Sequence, residues 1–140
     1  MTPAKATSLP IIGTWKMVSC ETSHPHLPHP SGSTTTFAER GGGLDYLAET
    51  VWSDGRASTT RVLFHLDGRW CPLEGSPLAD SVSLKMLGDG SFEGHMKKGD
   101  AAAGKNYATV SADGKTLTTR WEMAGPGNIT IVWTTVSARQ

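Results

Sequence analysis

The sequence predicts an all-β domain, most simply an up-and-down antiparallel β-barrel of about ten strands (eight to ten). Three observations carry this prediction. Helical spacing of apolar residues is absent from every three-turn window, and short runs rich in Thr, Val and Trp recur. Asp-Gly pairs, a strong hairpin signal, separate the runs at positions 54–55, 67–68, 89–90 and 113–114. A long meander leaves an unpaired strand at each edge of the sheet unless the sheet closes into a barrel. A Greek-key sandwich is less favoured, because it needs long crossing connections that the sequence does not show.

The runs between the turn signals define ten expected strands. Further turns are expected at residues 41–43, 99–100 and 125–128, which are rich in glycine. The strands are predicted near Ile12–Glu21, Ser33–Arg40, Leu44–Ser53, Arg56–Leu66, Arg69–Leu73, Ser81–Leu87, Ser91–Lys98, Lys105–Ser111, Thr116–Met123 and Ile129–Ser137.

The chain is expected to form one domain over residues 10–140, preceded by a loose leader at residues 1–9. Residues 22–33 contain prolines at positions 25, 28 and 30 and three of the five histidines. Proline at this density disfavours both helix and central strand. We therefore expect a long loop at 22–33, placed at a barrel mouth.

The charge balance excludes several classes of function. Lys+Arg and Asp+Glu both number 13, so neither a nucleic-acid interface nor a polybasic membrane clamp is expected. No apolar run approaches the roughly 20 residues of a membrane helix, and the N-terminus lacks the apolar core of a signal peptide. A cytoplasmic location is expected, as a monomer or a homodimer.

Cysteine and histidine do not indicate a redox or metal site. Cys20 and Cys71 are too few for a disulfide framework; free thiols are favoured, and a single bridge remains open. His24, His26 and His29 have only Glu21 nearby to complete a ligand set, so a solvated loop is expected rather than a metal centre. Neither a G-x-S-x-G elbow nor a phosphate loop is present, and no cofactor is predicted.

Hairpin parity predicts which side chains face the interior, because side chains alternate along a strand. A three-residue loop at 88–90, with Gly90 in the left-handed conformation, gives one coherent apolar face. A five-residue loop at 124–128 gives another. The two faces comprise Val82, Leu84, Met86, Phe92, Gly94 and Met96, and Leu117, Thr119, Trp121, Met123, Ile129, Ile131 and Trp133.

The hairpin at Asp54-Gly55 allows two registers. A three-residue loop directs Arg61 and His65 outward and places Leu44, Tyr46, Trp52, Val62, Phe64 and Leu66 inside. A two-residue loop instead places Arg61 and His65 on one face with Tyr46, Trp52 and Leu63. The pattern favours the first register, and a buried Arg61 in the second would need an anionic partner.

The segment Ile11-Ile12-Gly13-Thr14-Trp15-Lys16-Met17-Val18-Ser19-Cys20 resembles the opening strand of bacterial lipocalin-like domains. Its G-x-W element is shared with lipocalins and fatty-acid-binding proteins, and residues 111–118 resemble the penultimate hairpin of such barrels. The resemblance implies a calycin barrel whose Trp15 packs structurally across the closed end. The Pro/His segment stands where fatty-acid-binding proteins carry a helical lid, and residues 130–134 lack their Arg-x-Tyr clamp. No histidine follows His95, so the haem barrels of this group are not indicated.

We expect the barrel to bind a small, largely apolar molecule, aromatic or polycyclic, because a barrel of about ten strands leaves an interior cavity. Aromatic rings offer stacking surfaces and methionines offer adaptable packing. The expected ligand-binding residues are Tyr46, Trp52, Arg61, Phe64, Met86, Phe92, Met96, Trp121, Met123 and Trp133.

Two alternatives remain open at the level of sequence. One is a small lipocalin-like enzyme, a cyclase, isomerase or hydratase, acting on a natural-product-like substrate in the same cavity. Its candidate catalytic residues are His65, His95, Glu122 and Arg61. The other is an interaction module with a filled core, since fold does not fix function.

Overall fold

The computed structural model describes residues 9–76 and 78–140. Ten strands follow the predicted runs closely, and one short 3₁₀ turn lies at Pro126–Asn128. The strands are β1 (Gly13–Thr22), β2 (Pro30–Arg40), β3 (Gly43–Trp52), β4 (Ala57–Phe64), β5 (Asp67–Pro72), β6 (Ser81–Gly88), β7 (Ser91–Lys98), β8 (Ala101–Val110), β9 (Thr116–Ala124) and β10 (Thr130–Arg139).

All ten strands belong to one antiparallel sheet that curls into a nearly closed barrel. The strand order is β4-β3-β2-β1-β10-β9-β8-β7-β6-β5, so the first and last strands pair and every other hydrogen-bonded pair is adjacent in sequence. The predicted all-β, up-and-down architecture is confirmed. In the described part of the chain, no helix has the length and apolarity needed to cross a membrane.

The barrel is least tightly closed between β4 and β5, a place we call the seam. One isolated bridge joins the two sides there, with Arg61 N donating to Glu74 O over 2.9 Å and Glu74 N donating to Arg61 O over 3.0 Å. All the other neighbouring strands share at least four paired positions. The wall is therefore most easily parted at the seam.

The end of the barrel that holds the start of β1 is closed by the segment before that strand. Leu9, Ile11 and Trp15 are buried there, and Trp15 is 0% exposed. Trp15 Nε1 donates to the carbonyl oxygen of Ile11 over 2.8 Å. The guanidinium of Arg139 lies 4.3 Å from the centre of the Trp15 ring and donates to Ile12 O and Gly114 O. Leu9, assigned from sequence to the loose leader, thus belongs to the core; residues 1–8 lie outside the described residues.

The opposite end carries the longer connections. The Pro/His segment is shorter than the expected loop at 22–33, because β1 continues to Thr22 and β2 begins at Pro30. Proline is tolerated as the first residue of a strand, since no ladder hydrogen bond is then lost. The loop at 23–29 is tied to the wall at both ends: Ser23 N donates to Val132 O and Ser53 N to His29 O, each over 2.8 Å.

In two of the three hairpins whose register was predicted, the strands keep the predicted inward-facing sides, but the loop differs from the predicted one. In β6–β7, Met86 pairs with Phe92, as predicted, but Leu87 is the bulged residue and Gly90 does not have a positive φ. The extra residue is accommodated at Leu87 because its side chain is exposed there. In β9–β10, Ala124 pairs with Thr130, so the loop is 125–129. Ile129, expected on the wall, is 36% exposed in that loop.

The ambiguous hairpin adopts the three-residue loop. Leu44 pairs with Phe64 and Tyr46 with Val62, and Trp52 N donates to Arg56 O over 2.8 Å, which closes the loop around residues 53–55. Arg61 and His65 therefore lie on the outer face and are exposed. The register in which a buried cation faces the cavity is not formed.

Candidate ligand-binding cavity

A cavity of about 160 Å³ occupies the barrel interior. It extends from Ile11, near the closed end, to Pro30, Leu73 and Leu78 at the open end. Its walls come from the inward-facing side chains of neighbouring strands, as the alternation along each strand requires. The interior is thus only partly filled by side chains, which argues against the filled-core alternative.

Six of the seven aromatic rings along the described cavity lining form two clusters. Toward the closed end, the Tyr46 ring makes edge contacts with Phe37 and Phe64 at centroid distances of 5.2 and 5.6 Å. Toward the open end, the Trp133 ring lies 6.3 Å from that of Trp52 and 6.4 Å from that of Trp121. These distances are within the range of favourable ring pairs. Aromatic rings therefore line the cavity toward both of its ends.

The described polar groups that line the cavity are neutral at physiological pH. Ser and Thr hydroxyls from several strands reach it, and no Asp, Glu, His, Lys or Arg is among the described residues that line it. Tyr46 is the ionisable group in that set, and burial raises its pKa to about 12. The phenol is therefore neutral at physiological pH, and the described lining carries no charge.

Asn106 is the one carboxamide among the described residues that line the cavity. It lies on β8 opposite Gly94 of β7 and Trp121 of β9. A Cβ on Gly94 would lie 2.3 Å from Asn106 Oδ1, so glycine leaves the space that the carboxamide occupies. Sequence reasoning missed Asn106, although the β7–β8 register would have placed it on the same inward face as Gly94.

Seven of the ten predicted ligand-binding residues line the cavity: Tyr46, Trp52, Phe64, Phe92, Met96, Trp121 and Trp133. Arg61 does not, because it lies on the outer face. Met123 is buried but packs over Gly104 of the next strand rather than along the cavity. Met86 is partly buried against the core and is not a lining residue, although its partner Phe92 is one. Alternation placed these methionines on the inner face, but an inward direction alone does not bring a side chain to the open space.

The structure does not bring the candidate catalytic residues to the cavity. His65 and Arg61 are exposed on the outer face. His95 is half exposed, with its Nε2 lying 3.5 Å from a carboxylate oxygen of Glu93. Glu122 lies 3.6 Å from the guanidinium of Arg120. These four residues therefore do not contact a molecule held inside, because the strand registers direct them outward.

The described histidine and cysteine side chains are possible metal ligands or disulfide partners from the sequence, and the structure gives their contacts. Among the described residues, no group of three or more His, Cys, Asp and Glu side chains is placed to hold a metal ion. His24 Nδ1 lies 2.7 Å from Ser23 Oγ, and His29 Nδ1 donates to Leu27 O over 2.8 Å. Cys20 and Cys71 are both free, and burial raises the pKa of the Cys20 thiol.

Comparison with solved structures places this barrel among known folds. It is similar to zebrafish ileal bile acid-binding protein complexed with cholic acid, with a TM-score of 0.57 and 14% identity over 94% of this chain and 99% of that one. The two proteins share the antiparallel barrel fold. An S-type phycobiliprotein lyase from Guillardia theta is also similar, with a TM-score of 0.59 and 12% identity over 94% of this chain and 89% of that one.

The similarity lies in the backbone rather than in the sequence. No protein-family profile matches the chain, and no curated protein is detectably similar to it. At 14% and 12% identity, these two proteins share the barrel fold with this chain, and the similarity does not extend to their ligands or activities. The function has to be inferred from the cavity.

Proposed function

We propose that this barrel binds a small, neutral, largely apolar molecule with an aromatic ring system. One combined observation carries the proposal. Two clusters of aromatic rings line the cavity, and none of the described residues that line it is charged. Stacking on such rings favours planar apolar ligands. The hydroxyls and the Asn106 amide supply a few polar contacts that can orient the ligand.

The size of the cavity narrows the class of ligand. An apolar protein cavity of about 150 Å³ binds benzene, and the cavity here has a volume of about 160 Å³. A compound with one or two fused rings therefore suits the cavity in its present shape. A larger polycyclic molecule would require the wall to move, and the seam is where it is held by the fewest hydrogen bonds.

The absence of charge in the described lining disfavours anionic ligands. Burying a carboxylate without a partner is costly, because the lost hydration is not replaced. The bile acid-binding neighbour is named as a complex with cholic acid. A ligand of that anionic class would meet no cation among the described lining residues, since Arg61 lies on the outer face.

The enzyme alternative is less well supported than binding. A general acid or base must come within hydrogen-bond reach of its substrate, and the four candidate residues face away from the cavity. One structural neighbour is named as a lyase, but the fold alone does not transfer that activity. Binding requires only the rings and neutral polar groups that line the cavity.

A matched pair of ligands tests the proposal. Tryptophan fluorescence would be titrated with naphthalene and with 2-naphthoate, which differ by one carboxylate. We expect a saturable change with naphthalene and affinity at least about tenfold weaker for 2-naphthoate, reflecting the cost of burying its charge. Trp133→Ala should weaken naphthalene binding by about 1–3 kcal/mol.

Arg61→Ala is the matched control, because it removes a cation from the outer face. Exposed charges contribute weakly, so both affinities should stay within about twofold of the unmodified protein. Equal or tighter binding of 2-naphthoate would show that the cavity is not selective for neutral ligands. No response to naphthalene or other planar neutral compounds would reject the binding function.

A further inference from the structure

Four residues form a cross-strand row on the inner face of the barrel. Gly94 of β7 pairs with Asn106 of β8, Asn106 pairs with Trp121 of β9, and Trp121 pairs with Trp133 of β10. Directly opposed residues in antiparallel strands have their Cβ atoms about 5 Å apart. Asn106, Trp121 and Trp133 all line the cavity, so one amide and two indole groups can reach the same small molecule.

The side-chain amide and the two indole N–H groups of this row form no hydrogen bond within the described part of the protein. Trp15 Nε1 donates to Ile11 O and Trp52 Nε1 to Ser58 Oγ. By contrast, neither the Asn106 amide nor the indole N–H of Trp121 or Trp133 has a described protein partner. No fully buried side-chain nitrogen or oxygen in the described residues lacks a partner. These groups are therefore open rather than sealed in the packing, and the cavity they line is where a ligand would meet them.

The chemistry of the row identifies a ligand class. A carboxamide presents a donor and an acceptor side by side, whereas an indole N–H only donates. An asparagine amide can therefore pair twice with a flat group that carries an acceptor next to a donor, as it does with adenine. The two indoles add donors for a carbonyl oxygen and faces on which a ring can stack.

We propose that Asn106 is a specificity-determining residue that selects planar ligands with a carbonyl next to an N–H, as in a lactam. This proposal rests on the proposed binding function and identifies Asn106 as the residue that makes the polar contact with the ligand. Gly94 assists by leaving room for the amide, since any Cβ there would meet Asn106 Oδ1 at 2.3 Å. The hydroxyls elsewhere in the lining carry their donor and acceptor on one oxygen, whereas the amide presents them on two separate atoms side by side.

Two neutral bicyclic probes separate this proposal from binding in general. Calorimetric titrations would compare 2-quinolinone, a lactam, with naphthalene, which has similar ring size and cannot form these hydrogen bonds. In Asn106→Leu, we expect binding of 2-quinolinone to weaken about tenfold relative to naphthalene, since each neutral hydrogen bond changes affinity severalfold. Thr109→Val, an exposed change on the same strand, should leave the affinity ratio unchanged.

A second variant guards against misfolding of the first. Trp121→Phe keeps an aromatic ring and removes one N–H donor, so the affinity ratio should shift in the same direction by about two- to fivefold. Circular dichroism and unfolding temperature would establish that each variant is folded. If the unmodified protein binds both probes and neither folded variant changes their ratio, the role of Asn106 is wrong while the binding function stands. If it binds neither probe, both proposals fail.

Discussion

Trp15 illustrates how one residue closes a barrel. It is fully buried, its N–H is bonded to Ile11 O over 2.8 Å, and Arg139 covers its ring. Trp15→Ala should lower the free energy of unfolding by about 3–5 kcal/mol, because it removes a large buried aromatic side chain. Urea denaturation followed by far-ultraviolet circular dichroism would measure the change.

Trp70→Ala is the control for the loss of an indole as such. Trp70 is 46% exposed and lies beneath Lys97 Nζ, so its removal should cost only about 1 kcal/mol. Equal losses in the two variants would mean that Trp15 has no special structural role. Loss of ligand binding by Trp15→Ala without loss of stability would also contradict that role.

Tyr46 makes stability depend on pH in alkaline solution. Its pKa rises from 10.0 to about 12 on folding because burial disfavours the phenolate. A raised folded-state pKa means that the stabilising contribution is present below pH 10.0 and is lost as the pH rises toward about 12. The unfolding free energy should therefore fall over that window.

Tyr46→Phe isolates this contribution from other alkaline transitions, because Phe keeps the ring and has no proton to lose. The difference in unfolding free energy between the two proteins should change over the window and be flat below it. A constant difference across the whole range would show that Tyr46 titrates in the folded state as it does in water.

At the scale of the residue, the sequence could predict which side chains point inward better than which of them reach the cavity. Alternation placed Trp121 and Trp133 on one inner face, and both line the cavity. It placed Met86 and Met123 on inner faces, yet neither lines the cavity, because the packing of neighbouring side chains also decides whether a residue reaches the open space. Asn106 was missed because a lone amide in a strand has no sequence signal apart from its register partners.

At the scale of the element, the seam between β4 and β5 depends on a close approach at Gly75. A Cβ at Gly75 would lie 1.8 Å from Thr59 O, and the residue has φ of +79°. Gly75→Ala should therefore push the two sides apart and weaken the Arg61–Glu74 bridge. The expected loss is about 2–3 kcal/mol, from backbone strain together with two hydrogen bonds.

Gly55→Ala provides the matched control, since Gly55 also has positive φ, +90°, but no neighbouring atom within 4 Å of its Cβ. It should cost only the strain, about 1 kcal/mol. Hydrogen exchange of the Arg61 and Glu74 amides should accelerate in Gly75→Ala alone. Unchanged protection of both amides would show that this bridge does not depend on the close approach.

The turns explain why the strands could be predicted and the bulges could not. The Asp-Gly pairs at 54–55 and 113–114 mark hairpins because glycine readily adopts positive φ, as Gly55 and Gly114 do. Gly68 also has positive φ but lies within β5, which is joined to β4 by the single Arg61–Glu74 bridge. The irregular position is Leu87, whose side chain is exposed, rather than Gly90. A local sequence pattern does not carry that information.

At the scale of the whole molecule, closure and an uncharged lining act together. Closing the sheet removes most of its edge and creates a protected interior, and the strand registers direct the charged side chains away from the described lining. The barrel could be predicted from the meander of strands. The neutrality of the cavity could not be predicted, because it depended on the register of the Asp54-Gly55 hairpin. A shift of that register by one residue would turn the Arg61 side chain from the outer face to the inner face.

The five indole N–H groups offer the most direct test of the central claim, that ligands bind among the rings inside the barrel. Each gives one resonance in a nitrogen–proton correlation spectrum, assignable by single Trp→Phe variants. On titration with 2-quinolinone, we predict saturable shifts concentrated in Trp121 and Trp133, which line the cavity. Trp15 at the closed end and the exposed Trp70 should remain unshifted. Shifts concentrated in Trp70, or no shifts with any planar neutral compound, would contradict the account.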